Sequence, residues 1–160
     1  MDLQLTNRRA LITGSTGGIG YAIAHGLAAE GAHVTVTGRT QASVDAALAR
    51  MSHAIPNVRA DGVAADCATV AGAETVFSRV PDVDILVNNL GIYERKPFFE
   101  IPDADWMRLF EVNVLSGIRF SRRYAPRRPV RYQLDRHSSG LWSWPFRGTG
   151  RSFVARTARQ

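Results

Sequence analysis

Cysteine is nearly absent: Cys67 stands alone in 160 residues, so no intramolecular disulfide can staple the fold. A reducing cytoplasm is therefore the expected setting. Lysine is equally scarce, with Lys96 the only one. No apolar run approaches the ~20 residues that span a bilayer, Ile85 to Val87 being typical of the strongest, and membrane crossing is excluded. The start, MDLQLTNRRALITG, places Asp2 where a secretory leader carries positive charge and follows Arg8 and Arg9 with a glycine-rich turn, so no export signal is read. Internal repeats are missing, and 14 Gly with 7 Pro are too few for a collagen-like chain. What remains is 45% apolar and 21% charged, the balance of one or at most two globular domains. At this length a core can bury ~70% of the unfolded chain's surface.

The formal charge of +6 is unevenly placed. Residues 1–125 carry 12 Lys plus Arg against 13 Asp plus Glu, whereas residues 126–160 carry 8 Arg against the lone Asp135. The last segment holds two of the three tryptophans, Trp142 and Trp144, and few branched aliphatics. A composition boundary is placed near Ala125, dividing the body of the chain, residues 1–125, from an irregular, arginine-rich tail, residues 126–160.

Strand and helix signals alternate four times before that boundary. RALIT from Arg9 is short, apolar and β-branched, and the glycines from Gly14 to Gly20 separate it from a helix in which Ile19, Ile23 and Leu27 recur at helical spacing. Gly31 sits where a C-terminal cap is expected. HVTVT, from His33, predicts a second strand; Gln41 to Met51 a second helix; VRADGVAAD a weaker third strand ending at Asp66; and Thr69 to Arg79 a third helix. Val83 to Asn89 predicts a fourth strand, and Asp103 to Tyr124, after Pro102, a long helix. Strands this continuously apolar need helices on both faces, which predicts a Rossmann-like, doubly wound parallel sheet.

The turn TGSTGGIG joins the first strand to its helix. Gly14 permits a tight turn, Gly18 lets a pyrophosphate approach the backbone, and Gly20 lets the helix pack close to the strand. Free amides at the helix N-terminus add positive potential for a diphosphate. About 20 residues on, the end of the second strand reads Gly38, Arg39, Thr40. A carboxylate that would accept from a ribose 2′-hydroxyl is missing there, and a guanidinium that can fork onto a 2′-phosphate is present. NADP(H) is the expected cofactor and NAD(H) the second choice.

Together these residues resemble the short-chain dehydrogenase/reductase family over about residues 6–125. TGSTGGIG resembles its TGxxxGIG, and Asn88, Asn89, Leu90, Gly91 resembles its NNAG, with Leu90 in place of alanine. The resemblance implies that Gly14, Ser15, Thr16, Gly18, Ile19, Gly20, Arg39, Asn89 and Gly91 contact the cofactor, and that Asp66 and Cys67 lie at the adenine. Asn113, within EVNVLSG, matches the asparagine with which the family holds a water and completes a proton relay, so it is the expected catalytic residue. The implied chemistry is hydride transfer between the nicotinamide and a small carbonyl or alcohol substrate, and the implied partners are the dinucleotide, that substrate and a second copy of the chain.

The family completes its relay with Tyr-x-x-x-Lys, in which the lysine's charge lowers a phenol pKa near ~10. Here the residue four before Lys96 is Ile92, so the pair is impossible anywhere in the chain. Tyr124 with Arg128 and Tyr132 with Arg136 have the spacing but come too early after Asn113, and an arginine fork is a poor stand-in for lysine. Ser138 and Ser139 fall near the family serine without a buried strand before them. The chain is therefore expected to be inactive as written, its catalytic part missing or replaced.

The tail from Pro126 shows neither strand alternation nor a helical stripe, which fits a shifted reading frame; a Tyr-x-x-x-Lys in another frame of the coding DNA would support that hypothesis, and its absence from all frames would sink it. The competing functions are a catalytically dead nucleotide-binding module and a tail whose arginines and aromatics bind single-stranded nucleic acid. The lack of recognisable elements weighs against the last. His25, His33, His53 and His137 have no metal-ligand spacing to one another or to Cys67, and no metal is expected. Ser15, Thr16 and Ser116 have no adjacent base, which leaves hydrolase chemistry without support.

Overall fold

The computed structural model describes residues 3–125. Four strands, β1 (Arg9–Ile12), β2 (His33–Gly38), β3 (Ala60–Ala64) and β4 (Ile85–Val87), form one parallel sheet in the order β3-β2-β1-β4. Helices α1 (Gly18–Ala29), α2 (Gln41–Ala54) and α3 (Val70–Arg79) link successive strands. Alternation along the strands explains why both sheet faces are covered. Ala10, Ile12, Val34, Val36, Ile85 and Val87 face α1 and α2, where Ala24, Ala28, Val44 and Met51 complete a core. Leu11, Val63 and Leu86 face the other way, onto Ala73, Val76 and Phe120. Phe120 is fully buried, edge-on to Phe77 at 5.1 Å. β4 has no described strand on its outer side, yet its three side chains are buried in the two cores.

The expected fold class is therefore the observed one, with shifts at element ends. Helix α1 begins inside the glycine motif, and α2 runs on to Ala54, starting from Thr40, whose side chain accepts from the Ser43 amide. The long helix from Asp103 is interrupted: α4 (Asp103–Phe110) passes through one π-helical turn (Glu111–Leu115) into α5 (Ser116–Tyr124). Two side chains favour that wider turn. Ser116 Oγ donates to the Val112 carbonyl at 2.6 Å, and Asn113 is turned onto the loop after β4. The proposed pairs involving Tyr132, Arg128 or Arg136, the serines 138 and 139, and the basic aromatic tail all lie outside the described residues.

Candidate functional site

Parallel strands bring four loops together at the C-terminal edge of the sheet, and the order reverses between β1 and β4. Such a switch point opens a crevice. The glycine turn fills it. Gly14 has φ +62° and Gly18 φ +54°, conformations that favour glycine. Gly20 is needed for a different reason, since a Cβ there would overlap the Asn89 amide nitrogen and the Gly14 carbonyl. Gly17 caps α1 without a side-chain bond, and no acidic residue lies in the helix's first turn. The N-terminal amides of α1 thus face outward from an electropositive end.

A lattice of small polar groups beneath the turn fixes its shape. Thr13 Oγ1 accepts from the Asn89 and Leu90 amides, each at 3.0 Å, and Asn89 Nδ2 donates to the Thr13 and Gly14 carbonyls at 3.0 and 2.9 Å. Thr37 Oγ1 accepts from the Gly14 amide at 3.0 Å. Ser15 Oγ donates to the Ile12 carbonyl at 2.7 Å and accepts from the Thr37 amide at 2.9 Å, while the Ser15 amide donates to the Thr37 carbonyl. Ser15 is completely buried, so its hydroxyl supports the turn from within. Thr13, which opens the TGSTGGIG motif, and Thr37 belong to this support; Thr37 escapes a sequence reading, because a single threonine at a strand end carries no pattern.

The other expected contacts divide into exposed and interior groups. Thr16, Gly18 and Ile19 lie on the outer turn, with Ile19 70% exposed. Arg39 is exposed just beyond β2 and, among the described residues, makes no side-chain hydrogen bond or ion pair. Asp66 is exposed after β3, its carboxylate accepting from the Ala68 amide at 3.1 Å. Cys67 points inward instead, against Thr37, and burial pushes its thiol pKa up. Gly91 is exposed, and a Cβ on it would lie 3.2 Å from Asn113 Oδ1. Asn113 uses its carboxamide twice on Ile92: Oδ1 accepts from the Ile92 amide at 2.7 Å and Nδ2 donates to the Ile92 carbonyl at 3.0 Å. The structure thus brings the glycine turn, Arg39, Asp66, Asn89, Gly91 and Asn113 to one edge of the sheet.

The groups that could mimic a Tyr-Lys pair are engaged elsewhere. Lys96 Nζ is held by Asp105 at 2.6 Å and Glu94 at 3.2 Å, and its pKa is raised, chiefly by the bond to Asp105. The Tyr124 hydroxyl donates to the Val80 carbonyl at 2.6 Å, near the opposite, N-terminal edge of the sheet. Burial pushes that phenol up to about 12, away from the value that proton transfer needs. A groove of about 320 Å³ also opens at that edge, apart from the glycine turn; the Arg9–Asp82 ion pair and the His33–Asp61 hydrogen bond line it. Among the described residues no cluster of three His, Cys, Asp or Glu could hold a metal, and no helix is long and apolar enough to cross a membrane.

Comparison with known proteins matches residues 8–132 to the family model for short chain dehydrogenase, slightly past the composition boundary. An uncharacterised oxidoreductase, YvaG, of Bacillus subtilis is 46% identical over 124 residues, covering 78% of this chain and 47% of that protein. L-xylulose reductase of Mesocricetus auratus is 38% identical over 122 residues, covering 76% of this chain and 48% of the relative. Among solved structures, L-sorbose reductase of Gluconobacter frateurii, complexed with NADPH and L-sorbose, superposes with a TM-score of 0.72 at 35% identity, over 79% of this chain and 49% of that one. The chain spans about half the length of the relatives it matches.

Proposed function

The chain belongs to the short-chain dehydrogenase family, and from that premise we propose that it binds an NADP(H) dinucleotide at the glycine turn and has negligible carbonyl reductase or alcohol dehydrogenase turnover as it stands. The observation that carries the reading is Arg39: an unpaired guanidinium beside the turn, at the end of β2, where a 2′-phosphate would lie. The fit of the turn to a diphosphate rests on its left-handed glycines, the close approach at Gly20 and the outward amides of α1. The pyrophosphate would be held by the backbone of Thr16 to Gly20, the adenosine end by Asp66, and the 2′-phosphate by Arg39. When bound, the nicotinamide supplies hydride chemistry, and the resemblance to L-xylulose and L-sorbose reductases makes a ketose the first carbonyl to try.

The inactive half of the proposal is supported by Lys96 and Tyr124, both tied to other groups. Asn113 contributes by shaping the loop after Gly91, its amide being spent on Ile92. Loss of general acid–base transfer alone costs ~10²–10⁴ in rate. Titration with NADPH and NADH tests the cofactor assignment. Arg39→Ala is expected to weaken NADPH by ~10-fold or more, the scale of one charge-assisted fork, and to leave NADH unchanged. Equal losses for the two nucleotides would overturn the role given to Arg39.

A further inference from the structure

The glycine turn is anchored on its inner side by Ser15, Thr37 and Asn89, but its outer limb is glycine-rich and thinly held. Positions Gly17 and Gly18 have open space where a Cβ would stand. Such a segment loses much conformational freedom whenever it is ordered, including on ligand binding. One side chain reaches it from outside. Arg50, on α2, donates from Nη2 to the Thr16 carbonyl at 2.6 Å; among the described residues this is the only side-chain hydrogen bond to the stretch 16–20. The same guanidinium lies over the Tyr21 ring, 4.2 Å from its centroid, in the early part of α1. Thr16 in turn packs its side chain over Gly38, where a Cβ would overlap its methyl, and Gly38 precedes Arg39.

From this bridge across α2, the turn and α1, we propose that Arg50 is a positioning residue that holds the outer turn in its ligand-ready shape. It acts through Thr16 and Tyr21 on the diphosphate end common to both nucleotides, while Arg39 acts on the 2′-phosphate. This inference rests on the dinucleotide reading of the turn. It was not legible in the sequence, where an arginine well along a helix reads as a solvated charge.

The test uses the full 160-residue chain and its Arg50→Ala and Arg50→Lys variants, titrated separately with NADPH and NADH. In Arg50→Ala both dissociation constants are expected to rise by about 5- to 20-fold, with their ratio constant within about twofold, because a preordered turn is lost and not a phosphate contact. Amide hydrogen exchange of the nucleotide-free protein is expected to accelerate at residues 16–20 and stay unchanged in β1 and β2, a pattern that general destabilisation would not give. Arg50→Lys keeps a donor for the Thr16 carbonyl but stacks poorly on Tyr21, and it should lose less of both affinities. Unchanged affinities in folded variants, or a loss confined to NADPH, would overturn the positioning role while leaving the dinucleotide reading in place. If the unsubstituted chain binds neither nucleotide, both readings fall.

Discussion

Asn113 and Ile92 form a reciprocal pair: the carboxamide accepts from the Ile92 amide at 2.7 Å and donates to the Ile92 carbonyl at 3.0 Å. This pair fastens the loop after Gly91 to the π turn of the long helix. Asn113→Ala leaves two backbone groups without their partner and is expected to cost about 1–2 kcal/mol, read as a lower urea midpoint. Asn113→Asp keeps an acceptor for the amide but sets a carboxylate oxygen against the carbonyl, so it should not recover the loss.

Close packing at the base of the glycine turn makes Gly20 intolerant of even one methyl. Gly20→Ala drives a Cβ into Asn89 and the Gly14 carbonyl, and overpacking of this kind costs about 1–3 kcal/mol. The thermal midpoint should fall, and NADPH affinity should fall with it. A variant that binds NADPH normally would contradict the geometry assigned to the turn.

The second core layer depends on Phe120. Its ring is fully buried between α5 and the sheet, in edge contact with Phe77. Phe120→Ala is expected to cost about 3–5 kcal/mol in chemical denaturation, enough to unfold a marginal domain at ambient temperature.

Alkaline stability should report on Tyr124. Its folded pKa is raised to about 12, first by burial, while an unfolded tyrosine titrates near ~10. Between those values the folded chain keeps a proton that the unfolded chain has lost, so stability is complete below ~pH 10 and declines as pH rises towards 12. A displacement of this size would be worth ~2.7 kcal/mol for a fully shielded phenol, and partial exposure reduces it to about 1 kcal/mol. Tyr124→Phe should flatten that part of the stability profile and remove a phenolate step near pH 12 from the ultraviolet titration.

The sequence made the sheet legible because β-branched strands and helix-spaced aliphatics alternate from Arg9 to Asn89, and the observed strands fall within those runs except that β2 extends one residue further, to Gly38. Gly14 and Gly20 were legible because the turn needs them sterically. For Ser15 and Cys67 the direction of the side chain was not legible: family position says which loop a residue occupies, whereas hydrogen bonding to Ile12 and Thr37 decides which way a small side chain turns. The π turn was invisible because part of what favours it is tertiary, the pairing of Asn113 with a loop some 21 residues earlier. Thr13 holds two backbone amides and Arg50 one backbone carbonyl, all distant in sequence, and no periodicity announces such bonds.

The most direct test of nucleotide binding is a backbone amide NMR titration of the full chain with NADPH. The expected result is saturable shifts concentrated at Gly14, Thr16, Gly18, Ile19 and Gly20, with Arg39 responding to NADPH and not to NADH. No shifts at millimolar NADPH, or shifts confined to the groove at the opposite edge of the sheet, would contradict the proposed site.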